Sequence, residues 1–225
     1  AGAIKNVGVA GGLTKEGEGT LKIALGVNNY QKIDGSVVVG ANDNLGKVTI
    51  KSGVLEIDRA EKDFGGEVAV NLAGGELRIN EDSKLGVVSL NGVGGVIDTT
   101  GAKISTGVIS GAGSIQKKGS GTLVLTANDY KGNTTISEGK VQISSSAALG
   151  DGVNSKLVLD GGSLQVVQAA NAKIELAKNA VVTSSNGTVD VADGNVSLTG
   201  AVSGAGQLIK SGSGTFVLVN EKNTF

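Results

Sequence analysis

The chain has 225 residues, 38 of them glycine, with 2% aromatic residues and no proline, cysteine or histidine. Disulfides, thiolate metal sites and histidine general bases are thereby excluded. A net charge of −1 gives no electrostatic reason to bind nucleic acid or an anionic membrane, and no apolar run approaches the ~20 residues that span a bilayer. Abundant glycine beside Val, Leu, Ile and Ala predicts short strands joined by many tight turns. The chain starts at Ala1, holds no methionine and stops inside a repeat, so it is expected to be a piece of a longer protein.

In chain order, the first element is Gly11-Gly12-Leu13-Thr14-Lys15-Glu16-Gly17-Glu18-Gly19-Thr20-Leu21-Lys22-Ile23, followed by Asn28-Asn29-Tyr30. Next come Ile50-Lys51-Ser52-Gly53-Val54-Leu55-Glu56-Ile57 and Leu72-Ala73-Gly74-Gly75-Glu76-Leu77-Arg78-Ile79, each an apolar, any, any, Gly, any, apolar, any, apolar unit. The opening motif returns as Gly113-Ser114-Ile115-Gln116-Lys117-Lys118-Gly119-Ser120-Gly121-Thr122-Leu123-Val124-Leu125, with Asn128-Asp129-Tyr130 after it. Two more short units follow, at 136–143 and 159–166. A third copy runs from Gly206 through Lys210, Gly212 and Gly214 to Leu218, and ends on Asn223-Thr224-Phe225. Repeat units therefore start near 11, 113 and 206.

Gly53 to Gly75 is 22 residues and Gly139 to Gly162 is 23. A period of this size holding alternating strands fits one coil of a parallel β-helix. Alternation places Leu55/Ile57, Leu77/Ile79, Val141/Ile143 and Leu164/Val166 on one inward face, each stacked on its counterpart a coil away. Glu56 and Arg78 point outward on neighbouring coils and pair there. Glycine recurs too densely for a long helix. The runner-up architecture is an antiparallel β-sandwich or propeller, although propeller blades need roughly 40–45 residues each and no such period is present. The fold is therefore read as all-β, a right-handed single-stranded parallel β-helix of about ten coils. It would form one β-helical unit over 1–225, a rod on the order of 50 Å long. The longer intervals 60–66, 169–176 and 184–194 are expected to be loops.

The second copy, from Ser110-Gly111-Ala112-Gly113 through Leu125, Asn128-Asp129-Tyr130-Lys131-Gly132-Asn133-Thr134-Thr135 and Gly139-Lys140-Val141 to Ala148-Leu149-Gly150, resembles the passenger-associated transport repeat of type V autotransporters. The match covers about 40 continuous residues; the first copy lacks the Gly-x-Thr-Thr step after Tyr30. The resemblance implies a secreted or surface-exposed passenger of a Gram-negative bacterium, exported through its own C-terminal outer-membrane β-barrel, which this chain does not include. It implies a β-helical stem whose repeats aid passage and stepwise folding. Gly113, Lys117, Gly119, Gly121, Thr122, Leu123, Tyr130 and Gly139 match the repeat positions and carry a structural role by that resemblance.

Candidate chemistry is thin. A Ser–Lys dyad is possible, yet nothing in the letters isolates one pair. Asp58, Asp63 and Asp98, with Arg59 and Arg78, read as surface charges and turn aspartates rather than a polysaccharide-cleaving cluster. Asn42-Asp43-Asn44 and Glu81-Asp82 offer oxygens to Ca²⁺ but read as turns. The sequons at Asn133, Asn186 and Asn195 read as turns or strand starts. Gly40 to Gly46-Lys47 misses phosphate-loop spacing by one residue. Tyr30, Tyr130 and Phe225 recur at one repeat position and are expected to pack at a coil corner rather than stack on sugar. No catalytic residue, cofactor or metal is assigned, and the chain is read as a non-enzymatic stem. Its expected partners are a host cell-surface protein or glycan, or a second copy of itself, in adhesion or host-receptor engagement. A β-helical polysaccharide lyase or hydrolase, or a self-associating aggregation factor, is the alternative.

Overall fold

The structure, a computed structural model, describes residues 13–25, 47–59 and 69–225. Every strand pairing among them is parallel. Strands of two to six residues wind into a β-solenoid whose coils contribute one strand to each side in turn. A nine-stranded sheet runs from Thr20–Leu25 to Val202–Gly204, and a seven-stranded sheet from Ser83–Lys84 to Leu208–Ser211. The remaining side carries a five-stranded sheet, Leu13–Lys15 to Ile109–Gly111, and a three-stranded one, Lys173–Leu176 to Thr215–Leu218. One short 3-10 turn, Ser146–Leu149, is the only helical element among the described residues.

Period-2 alternation does the sorting. Leu55 pairs with Leu77 and Ile57 with Ile79 in adjacent co-directional strands, and all four are buried, as are Val141, Ile143, Leu164 and Val166. Down the nine-stranded sheet one inward column reads Leu21, Leu55, Leu77, Ile97, Lys117, Ile136, Leu159, Val182. Each fully buried aliphatic member contributes roughly 1.5–3 kcal/mol through water exclusion. No single coil can bury this stripe; stacking makes the core continuous.

The expectation of about ten coils is a slight overcount, since the longest ladder has nine strands and the next seven. The coil is not constant. Register partners are 22 residues apart from Leu55 to Leu77, 20 from Leu77 to Ile97, 19 from Lys117 to Ile136 and 23 from Ile136 to Leu159. From Leu21 to Leu55 the step is 34, longer than any of these. Two intervals expected as loops contain strands, Lys173–Leu176 and Gly187–Val191. Both alternate correctly, burying Ile174/Leu176 and Val189/Val191; their longer spacing hid them. The third interval, 60–66, lies outside the described residues, as do Tyr30, Asn42-Asp43-Asn44 and Asp63.

Truncating one aliphatic rung leaves a void that its neighbours fill only in part. Leu77→Ala is expected to cost about 2–5 kcal/mol, whereas Gln142→Ala, on an outward position, stays within about 0.5 kcal/mol. Urea denaturation midpoints of the two variants check this contrast.

Candidate functional site

The first two repeat copies build the same corner, and the third, whose Lys210 is exposed, forms only its own turn of it. Lys117 stands in the aliphatic column between Ile97 and Ile136 and is 1% exposed. Its ammonium donates to the carbonyls of Lys118 (2.7 Å) and Gly119 (2.6 Å) in its own turn, and to Glu138 (3.2 Å) in the next coil. Lys15 repeats this arrangement: it is buried beside Ile50 and donates to Glu16 (3.0 Å), Gly17 (2.5 Å) and, one coil on, Ser52 (3.2 Å). Lys210 donates to Gly212 at 2.5 Å. The first glycine of each turn bends the carbonyls toward the amine with φ of 81°, 76° and 78° at Gly17, Gly119 and Gly212, a region that disfavours any other residue. Gly53 and Gly139 close the cage from the following coil. A Cβ on either would collide with the carbonyl oxygens of Gly17 and Gly19, or Gly119 and Gly121. A buried ammonium is tolerated because several acceptors replace its water.

Other repeat positions serve the same stack. Leu123 lies in the column Ile104, Leu123, Val141, Leu164, Val189. Gly121 accepts the Lys140 N–H, and the Thr122 N–H donates to Ala102. A Cβ on Gly113 would strike the Asn91 carbonyl of the coil before.

The second copy leads into a break in the first side of the rod. Between Ile109–Gly111 and Lys173–Leu176, two coils have no strand there. Tyr130 fills the space, fully buried, its hydroxyl 2.5 Å from Thr134 Oγ1. Burial pushes its phenol up to about 12, against the lowering effect of the Thr134 bond. Asn128 bridges three coils: its Oδ1 accepts the Ile109 N–H at 2.8 Å and its Nδ2 donates to Ala148 at 2.7 Å. Asn223 accepts the Val202 N–H in the same way, while Phe225 is half exposed. Shallow grooves flank the break, one beside Ser144, Gln168 and Lys173, the other beside Lys131, Asn133 and Asn154. Between coils the loop tip Val153 is almost fully exposed.

Comparison with known proteins agrees with this geometry. Residues 115–143 and 208–225 match the passenger-associated transport repeat family. The chain carries the transport repeats of an autotransporter passenger. The adhesin BmaC autotransporter of Brucella suis biovar 1 (strain 1330) is 33% identical over 148 residues, which cover 56% of this chain and 4% of the relative. No solved structure matches the chain. The passenger is thus secreted or exposed at the surface of a Gram-negative bacterium.

The charged side chains of the passenger are used against one another. Lys22, Glu56, Arg78, Asp98 and Lys118 follow each other in register on five coils, alternating in sign. Arg78 bonds Asp98 (2.9 Å) and Glu76 (2.8 Å) and approaches Glu56 at 3.5 Å, while Lys22 lies 3.0 Å from Glu56. The expected Glu56–Arg78 pair is thus one link of a half-buried ladder. Burial alone would raise Glu56 and Asp98. Bonds from Lys22 and Asn80 hold Glu56 below the usual carboxylate range, and Arg78 and Thr100 do so for Asp98.

One Ser–Lys pair does emerge, Ser155 with Lys178. The Ser155 hydroxyl donates to the Gly152 carbonyl at 2.7 Å, and the amine donates both to that hydroxyl and to the same carbonyl. Burial lowers the Lys178 amine, against the pull of Asp151, and both side chains are tied to the Gly152 carbonyl of the loop. The pair is a clasp on the loop. The Asn133 and Asn186 side-chain carbonyls accept the Lys156 and Gln207 N–H groups of following coils at 2.8 and 2.9 Å. In sequence these coil-bridging asparagines read as turns or strand starts, and their recurrence just before a strand is the available signal of the role. Among the described residues no cluster of three acids or other ligand groups could hold a metal.

Burial lowers the Lys117 ammonium to about 8, with Asp98 and Glu138 opposing. Its unfolded value is about 10.4, so across that window the unfolded chain holds more protons and stability rises with pH. Lys117→Met is expected to flatten the rise, measured as the difference between urea midpoints of the two proteins from pH 7 to 10.5.

Proposed function

We propose that this stretch is the presenting stem of an adhesin-like passenger, whose repeats assist outer-membrane passage and stepwise folding. The observation that carries the reading is where the repeat residues lie. Lys15, Lys117 and Lys210 stand on strands of the five-, nine- and seven-stranded sheets respectively, so the shared motif visits three sides of the rod. A motif kept for ligand recognition would face one way; this one is buried at Lys15 and Lys117, where a further coil covers it, and works there on coil stacking. On this reading Gly113, Lys117, Gly119, Gly121, Thr122, Leu123, Tyr130 and Gly139 act structurally. Each coil that docks buries a further aliphatic row and templates the next, drawing the chain outward without ATP.

Binding is then left to what varies, namely outward side chains and the loops at the break. Their occupant is a host surface protein or glycan, or another copy of the passenger; the relative's description as an adhesin supports this class. The full-length passenger would be exported through its own outer-membrane barrel. Glycan cleavage is the second reading, favoured by Glu56, Glu76 and Asp98 lying on three adjacent coils around Arg78. It is the weaker one, because a glycosidase pair requires one carboxyl raised enough to donate a proton, and Glu56 and Asp98 are both lowered.

Deleting 111–143 from the full-length parent should sharply reduce the surface-displayed fraction while leaving synthesis unchanged; full display would end the transport role. For the second reading, E56Q and D98N variants displayed on cells should retain host-cell attachment, and reducing-end release from host glycans should be absent in both wild type and variants.

A further inference from the structure

Two Asn-Gly pairs lie among the described residues, Asn91-Gly92 and Asn186-Gly187, and the fold treats them oppositely. Asn186 and Gly187 are engaged reciprocally with the next coil. The Gly187 N–H donates to the Gln207 carbonyl at 3.1 Å, and the Gln207 N–H donates to Asn186 Oδ1 at 2.9 Å. The Gly187 amide is thus committed, the Asn186 carboxamide is held in place, and Gly187 is buried.

Asn91-Gly92 has none of this protection. Both residues are exposed in the turn between Val88–Leu90 and Gly95–Asp98. The turn is fixed only at its ends, by the Asn91 N–H donating to Leu72 at 3.2 Å and the Gly94 N–H donating to Asn91 at 2.7 Å. The Gly92 N–H donates to no group, the Asn91 carboxamide makes no hydrogen bond, and the space around the Gly92 Cα is open.

We propose that Asn91-Gly92 is a self-modification site of the folded rod. Hydroxide or general base removes the Gly92 amide proton, and the nitrogen attacks Asn91 Cγ. The new N–Cγ bond closes a succinimide as the Cγ–Nδ2 bond breaks and ammonia leaves. Water then opens the ring to aspartate or isoaspartate, with no oxidant or enzyme. The product places a carboxylate, and for isoaspartate one extra main-chain carbon, at a corner whose carbonyl packs directly against Gly113 of the second repeat copy. That corner changes from neutral to anionic with time spent outside the cell.

The test incubates the purified chain at mildly alkaline pH, digests it after lysine and follows peptides 85–103 and 179–210 by mass spectrometry, with fragmentation assigning the site. Conversion at Asn91 should run about tenfold or more faster than at Asn186, the retardation that two ordinary hydrogen bonds impose when they must open first. In concentrated urea the two rates should converge, and Gly92→Ala should slow Asn91 in the folded chain. Equal rates in the folded chain, no conversion at Asn91, or an unchanged ratio in urea would each overturn the proposal.

Discussion

The structure depends on constant register between successive coils. Side chains alternate with a period of two, so a one-residue slip between neighbouring strands would turn an inward column outward. The parallel ladder and the aliphatic columns therefore stand or fall together. Leu77 is buried because Leu55 and Ile97 sit one strand-width to either side of it. The outward ladder adds a register check of its own. Lys22, Glu56, Arg78, Asp98 and Lys118 alternate in sign, and sliding the stack by one coil would set like charges against each other. Half-buried pairs give back much of their attraction as lost hydration, so the ladder's value lies more in discriminating registers than in holding the correct one.

Much of the fold is legible in the letters because solenoid physics is local and repeated. The Gly-x-apolar-x-apolar units announce both strand and corner, and the spacing of Gly53 and Gly75 equals the 22-residue step between the stacked Leu55 and Leu77. Less legible is any departure from that spacing. The 34-residue step between Leu21 and Leu55, and the strands Lys173–Leu176 and Gly187–Val191, depart from it. Periodicity reports an average and is blind to single insertions.

The site is legible in part. Repetition picks out Lys117 but not its direction, because a lysine in a strand reads as outward by default. Only the carbonyls bent toward it by Gly119 and carried over from Glu138 make an inward ammonium tolerable, and those partners are two and twenty-one residues away along different coils. The asparagines are harder still. Asn128, Asn133 and Asn186 look like turn residues, and they are, but each also satisfies a main-chain N–H of a neighbouring coil. At a corner the ladder's own bonds lapse, and at the buried Ile109 N–H a missing partner costs as much as a lost hydrogen bond. A short side-chain amide that reaches across one strand-width repairs the gap.

Spacing between copies adds a last constraint. Lys15 to Lys117 is 102 residues and Lys117 to Lys210 is 93, neither a whole number of coils, and each copy begins one side further round the rod. Were the motif tied to one side, insertions between copies could occur only in whole coils. A motif that works at any corner has no such restriction, because its requirements are met by its own turn and the coil after it. Lys15 meets them across a 37-residue separation to Ser52 and Lys117 across 21 to Glu138. The intervening coils are therefore free to lengthen, shorten and change their outward residues while the corners keep their chemistry, and this is the division of labour a surface-exposed stem requires.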